Sequence, residues 1–159
     1  MTSKPYKVAV LMGSPNDASK MQPATDTLAT FGLEPDMQAI SAHRNPDEVA
    51  EFVRTARDRG YVALICAAGM AAHLAGAAAA HTTLPVVGVP ISGGGLNGVD
   101  ALYSTVQMPP GIPVATVAID GAVNAALLVI QMLAITDADL EKKLVEDRRA
   151  RAEAKRWKA

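Results

Sequence analysis

The run Val62-Ala63-Leu64-Ile65-Cys66 has no polar side chain. A strand with one wet face alternates apolar and polar residues, whereas a strand that is apolar throughout is buried on both faces, as in a parallel sheet covered by helices. Leu84 to Val89 repeats the pattern. Tyr6 to Met12, Met37 to Ile40 and Val114 to Ile119 are further short apolar or β-branched runs.

Helix-forming stretches separate these runs. The first follows Gly13-Ser14-Pro15-Asn16-Asp17, carries Met21, Leu28 and Phe31 inward and stops near Gly32; Pro23 lacks an N–H, so this helix is expected to start late or kink. Asp47 to Arg59 is amphipathic and ends at Gly60, Ala71 to Ala80 is rich in alanine, Val99 to Thr105 is short, and Ala122 to Ile135 closes the series. The alternation predicts an α/β fold. It is a three-layer α/β/α sandwich on a mostly parallel, five-stranded, doubly wound (flavodoxin-like) sheet with an extra C-terminal helix. One domain spans 1–159, with the α/β core over 6–135 and the extra helix over 136–159. From Asp137 to Trp157 that helix is charged, with a thin stripe of Leu140, Leu144 and Trp157 that suits a neighbouring subunit or its own core equally well.

Composition matters at three points. The stretch Val62 to Ala80 is long enough to span a bilayer, but its second half is mostly Ala and Gly and it contains His73, so a buried strand followed by a helix is expected and no membrane. A net charge of −1 excludes general nucleic-acid binding, which needs a dense basic surface. The single Cys66 makes no internal disulfide and no basic-then-apolar leader follows Met1, so a cytoplasmic protein is expected.

Ligands of doubly wound sheets sit beyond the carboxyl ends of the strands at a switch point, which directs attention to the loops Gly13 to Asp17, Ser41 to Arg44 and Ala67 to His73. In Ser41-Ala42-His43-Arg44-Asn45-Pro46, Asn45 is read as an N-cap, Pro46 as the first helical residue and Glu48 as the partner in a capping box. The preceding residues then lie at a helix N-terminus, which favours an anion, with Arg44 as a forked donor and His43 as an imidazole able to give or take a proton. Ser14 and Asn16 can bond an anion or cap a helix. Asp17 repels phosphate and suits sugar hydroxyls, or serves only as a cap. His73 by itself is more often structural than catalytic. No metal-binding cluster, phosphate loop or dinucleotide fingerprint is present, so no metal or cofactor is expected. Cys66, inside an apolar strand, is unsuited to nucleophilic work.

These residues carry a resemblance. Met12-Gly13-Ser14 with Asp17, Ser41-Ala42-His43-Arg44, Gly69 with Ala71-Ala72-His73-Leu74, Gly88-Val89-Pro90, Gly98-Val99-Asp100 with Leu102, and Ser104-Thr105-Val106-Gln107-Met108-Pro109 together resemble the N5-carboxyaminoimidazole ribonucleotide mutase (PurE) family of purine biosynthesis. The resemblance implies transfer of a carboxylate from N5 to ring carbon C4 without cofactor or metal, through carbon dioxide held in a closed site. It implies His43 as general acid/base. Substrate-binding roles follow for Ser14, Asn16, Asp17, Ser41, Ala42, Arg44, Gly69, Ala71, His73 and Leu74, with Ser41 and Arg44 on the phosphate and Asp17 on the ribose. It further implies a pocket of small residues at Ala67, Ala68, Gly69 and Ala71, a closing loop at Ser104 to Pro109, and a homo-octamer with the last helix on a neighbour. The family's second serine is here Asn16, the residue after the aspartate is Ala18, and its Gly-rich third loop carries Ala67 and Met70. The rival readings are a direct carboxylase using free carbon dioxide and a non-catalytic nucleotide-binding module.

Overall fold

β3 (Tyr61–Gly69) runs through the middle of the sheet, paired with β1 (Lys7–Met12) on one side and β4 (Val86–Ile91) on the other. The structure is a computed structural model that describes residues 5–155. β2 (Glu34–Ala39) pairs with β1, and β5 (Ala115–Thr116) with β4, so the order is β2-β1-β3-β4-β5 with every pair parallel. Six helices cover the sheet: α1 (Ala18–Thr30), α2 (Pro46–Ala56), α3 (Leu74–Ala79), α4 (Val99–Val106), α5 (Ala122–Ala134) and α6 (Ala138–Ala154). This is the expected three-layer α/β sandwich. None of the described helices is long and apolar enough to cross a membrane.

Strand periodicity divides the core in two. Val8, Val10 and Ile65 face α1 and α5, where they meet Met21, Leu28, Ala125 and Val129. Ala9, Leu11, Leu64 and Cys66 face the other way onto Val49, Phe52 and Val53 of α2 and Leu74 and Ala78 of α3. β3 supplies both cores, which is why residues 62–66 within it carry no polar side chain. Burial also pushes the Cys66 thiol up to about 12, as its apolar strand implied.

Several boundaries differ from expectation. α1 begins at Ala18 with Pro23 inside it, so the helix does not start late. Pro23 costs the helix one N–H, the one that would face the carbonyl of exposed Ser19, and burial of Met21, Ala24 and Leu28 offsets the proline. β5 has only two ladder residues, yet the chain stays alongside β4: Val117 N–H donates to the Gly88 carbonyl at 3.1 Å and Asp120 N–H to the Pro90 carbonyl at 2.8 Å. α3 starts at Leu74 because residues 70–72 form a tight turn, with Ala72 N–H on the Met70 carbonyl at 2.8 Å. In α6, Asp137 caps the helix by accepting from Asp139 and Leu140 N–H, and Leu140 and Leu144 join the α1/α5 core of their own chain. Trp157 lies outside the described residues.

Gly88 is held to glycine by packing. A Cβ there sits 2.3 Å from Thr105 Cγ2 and 3.0 Å from Val114 Cγ1, because α4 crosses directly over β4. Gly88→Ala is expected to destabilise the fold by about 3 kcal/mol through overpacking, read as a lower urea midpoint at unchanged slope.

Candidate active site

The carboxyl ends of β1, β2, β3 and β4 surround a cavity of about 590 Å³. β1 lies between β2 and β3, so the chain leaves it in opposite directions and the loops part there, leaving a crevice. Larger in volume, at about 1020 Å³, is a cavity at the other end of the sheet, beside Pro85, Val86 and Pro113. It lies at the amino ends of β4 and β5 and gathers none of the singled-out loop residues.

The first loop is set by Ser14, whose Oγ accepts the Asn16 N–H at 3.2 Å and caps a 3-10 turn over Pro15–Asp17. That leaves the Asn16 amide side chain at the exposed rim of the cavity. Asp17 is half-buried on the wall. Burial pushes its carboxyl above the ordinary range, Lys20 pulls it down, and Asp120 pushes it up.

The second loop folds on itself. Ser41 Oγ accepts the Arg44 N–H at 3.3 Å, and the Ser41 carbonyl accepts the Asn45 N–H at 2.8 Å. Pro46 opens α2 and Asn45 holds the cap position, as expected, but the Asn45 side chain makes no cap bond. The capping box is absent because the Asn45 N–H, which Glu48 was to engage, is already taken by Ser41. Ala42 is buried and anchors the turn, while His43 and Arg44 are exposed to the cavity. Arg44 Nη2 reaches the Gly13 carbonyl at 3.5 Å, tying the second loop to the first.

In the third loop β3 extends to Gly69, so Ala67 is a fully buried strand residue and does not line the cavity. Ala68, Gly69, Ala71, His73 and Leu74 do. The His43 and His73 rings stack, with centroids 4.9 Å apart and an interplanar angle of 23°. All the singled-out positions, Ser14, Asn16, Asp17, Ser41, Ala42, His43, Arg44, Gly69, Ala71, His73 and Leu74, thus line one cavity.

A second cavity, about 540 Å³, shares His43, Ala71 and His73 and is bounded by Ser104 and Met108. Ser104 to Val106 belong to α4, so only the part of the expected closing loop after Val106 is irregular.

The fourth side was not anticipated. Ser92, Gly93 and Gly94, following β4, complete the wall. The signal was present as the Ser-Gly-Gly-Gly run, but only the first three loops were placed at the switch point. Against this wall lies Met70, a non-glycine residue at φ 51°, with its Cγ 3.2 Å from where a Gly94 Cβ would stand.

The chemistry on offer is a cationic fork with hydroxyls and amides at one side, a carboxylate at another, and an imidazole pair between small apolar residues. Known proteins resemble the chain along most of its length. The AIR carboxylase family model matches residues 7–154. The N5-carboxyaminoimidazole ribonucleotide mutase of Pyrococcus abyssi is 51% identical, over 87% of this chain and 79% of that one. The mutase of Escherichia coli K12 is 45% identical, over 95% and 90% of the two chains. Among solved structures, Treponema denticola PurE superposes with a TM-score of 0.84 at 27% identity, covering 95% of this chain and 94% of that one.

Met70 is 61% exposed, so truncation loses little packing and relieves a left-handed backbone. Met70→Gly is expected to stabilise the fold by about 1 kcal/mol. In calorimetry this is a rise of roughly 2–4 °C in Tm.

Proposed function

The chain belongs to the AIR carboxylase family, and from that premise we propose that it is an N5-carboxyaminoimidazole ribonucleotide mutase, an isomerase that forms 4-carboxy-5-aminoimidazole ribonucleotide. The observation that carries the reading is the placement of His43 and Arg44 on one turn, opposite Asp17, in a cavity of ribonucleotide size. Arg44 and Ser41 hold the phosphate, assisted by Ser14 and Asn16, and Asp17 accepts the ribose hydroxyls. The base then lies against His43.

The N5–carboxylate bond breaks, N5 takes a proton from the His43 imidazolium, and carbon dioxide stays beside Ala68, Gly69 and Ala71. Ring carbon C4 attacks it, and the neutral imidazole removes the C4 proton. The net change moves one carboxylate from N5 to C4 and one proton from C4 to N5, with His43 restored. His73 supports the ring by stacking, and the small apolar lining excludes the water that would release the gas.

His43→Asn is expected to abolish turnover, by at least about 10³-fold for loss of the general acid/base, while keeping most of the thermal shift given by product. Substantial residual activity overturns the assignment. Feeding the enzyme aminoimidazole ribonucleotide and bicarbonate separates this reaction from direct carboxylation, which is expected to be the poorer one.

The same reading makes the protein a cytoplasmic homo-octamer. Exposed Val99, Tyr103 and Val106 on α4, with Ile135 and Val145 at the C-terminal end, supply apolar surface for neighbours. Since Leu140 and Leu144 are spent on their own chain, contact of α6 with another subunit falls to Val145 and its surroundings. Light scattering is expected to give eight times the chain mass; the mass of a single chain overturns the assembly.

A further inference from the structure

The wall after β4 is the least self-sufficient part of the cavity. Gly93 and Gly94 have φ of 152° and 62°, and a Cβ placed on Gly93 or Gly95 meets nothing within 4 Å. A three-glycine segment with no side chain to pack has the greatest conformational freedom a chain can have. Yet both its ends are fixed. At the far end Gly98 lies so close to Ser92 that a Cβ would come within 3.0 Å of the Ser92 Cα. At the near end two charged side chains from distant parts of the chain meet on Ser92.

Lys20 Nζ donates to the Ser92 carbonyl at 2.7 Å and to Ser92 Oγ. The same hydroxyl donates to Asp120 Oδ2, and the Ser92 N–H donates to Asp120 Oδ1 at 2.9 Å. Lys20 and Asp120 are themselves 3.5 Å apart. Asp120 adopts φ 56°, unusual for a residue with a side chain. Its N–H on the Pro90 carbonyl at 2.8 Å holds it in the turn before α5. Lys20 comes from the first turn of α1, three residues after Asp17, so helical spacing places both on one side. Burial pushes the Asp120 carboxyl up, but the Ser92 bonds and Lys20 outweigh it and leave it below its usual range.

We propose that Lys20 is a positioning residue for ribonucleotide binding: it clamps Ser92 and Asp120, holds the Gly93–Gly94 backbone as a preformed wall of the cavity, and neutralises the Asp120 charge facing Asp17. The inference rests on the function proposed above for the identity of the ligand. Without the clamp the glycine segment is ordered only when substrate binds, and that ordering is subtracted from affinity. Asp17 also loses the cation that offsets its unfavourable neighbour. The chemistry at His43 is untouched, so the effect falls on binding.

Lys20→Met is expected to raise KM about tenfold with kcat within about twofold. Hydrogen exchange in peptides covering residues 91–98 is expected to quicken several-fold in the unliganded protein, and Lys20→Arg to restore both readouts. Asp120→Asn alone produces the same two changes, and adding it to Lys20→Met adds little, because both dismantle one clamp. An unchanged KM in a folded Lys20→Met enzyme overturns the proposal, as does a raised KM with unchanged exchange over 91–98. If the wild-type enzyme does not convert the mutase substrate, the functional reading fails separately, and the exchange measurement alone decides the clamp: no difference between wild type and Lys20→Met overturns it.

Discussion

The structure depends on a strand that must be dry on both faces. β3 gives Ala63, Ile65 and Ala67 to one core and Tyr61, Leu64 and Cys66 to the other, so helices have to cover it on each side. Covering a parallel strand twice means that the chain returns over both faces, and β1, paired with both β2 and β3, becomes the point where the direction of return changes. The crevice beyond its carboxyl end follows from that order. The polar chemistry is there because the backbone parts there.

Each loop that borders the crevice is braced by another rather than by itself alone. Gly13 N–H bonds the Ala67 carbonyl at 2.9 Å, joining the first loop to β3. Arg44 reaches back to the Gly13 carbonyl, and His43 stacks on His73. Ser92 is bound from α1 and from the turn after β5. Such cross-bracing suits the mechanism proposed above, in which a small gas molecule is held for the lifetime of an intermediate and one loose wall is enough for escape.

The layers and the strand order class were legible because they rest on apolar periodicity, which Val62 to Cys66 displays without ambiguity. The polar loops were legible because short motifs lie next to strand ends. What escaped depended on partners distant in sequence. Nothing near Ser92 announces Lys20, 72 residues away, or Asp120, 28 residues away. The capping box failed for a similar reason: the residues were right, but Ser41, outside the four-residue pattern, took the Asn45 N–H. Pro23 misled because propensity is local and the burial of Met21 and Leu28 is not.

The departures from the family pattern separate by position. Ala67 is fully buried in β3, so its extra methyl is a matter for the core and never reaches a ligand. Asn16 keeps its backbone N–H on Ser14, and its side chain at the rim can still donate where a serine would. Met70 is different, because it puts a side chain on a left-handed residue at the cavity mouth. Directly across from it Gly94 has no side chain, and Met70 Cγ lies 3.2 Å from where a Cβ would begin. The bulk added after β3 is met by space left after β4, and the glycine run that makes room for it has no side chains to anchor itself. A wall so emptied needs fixing at its ends, and Lys20 with Asp120 supplies that at Ser92.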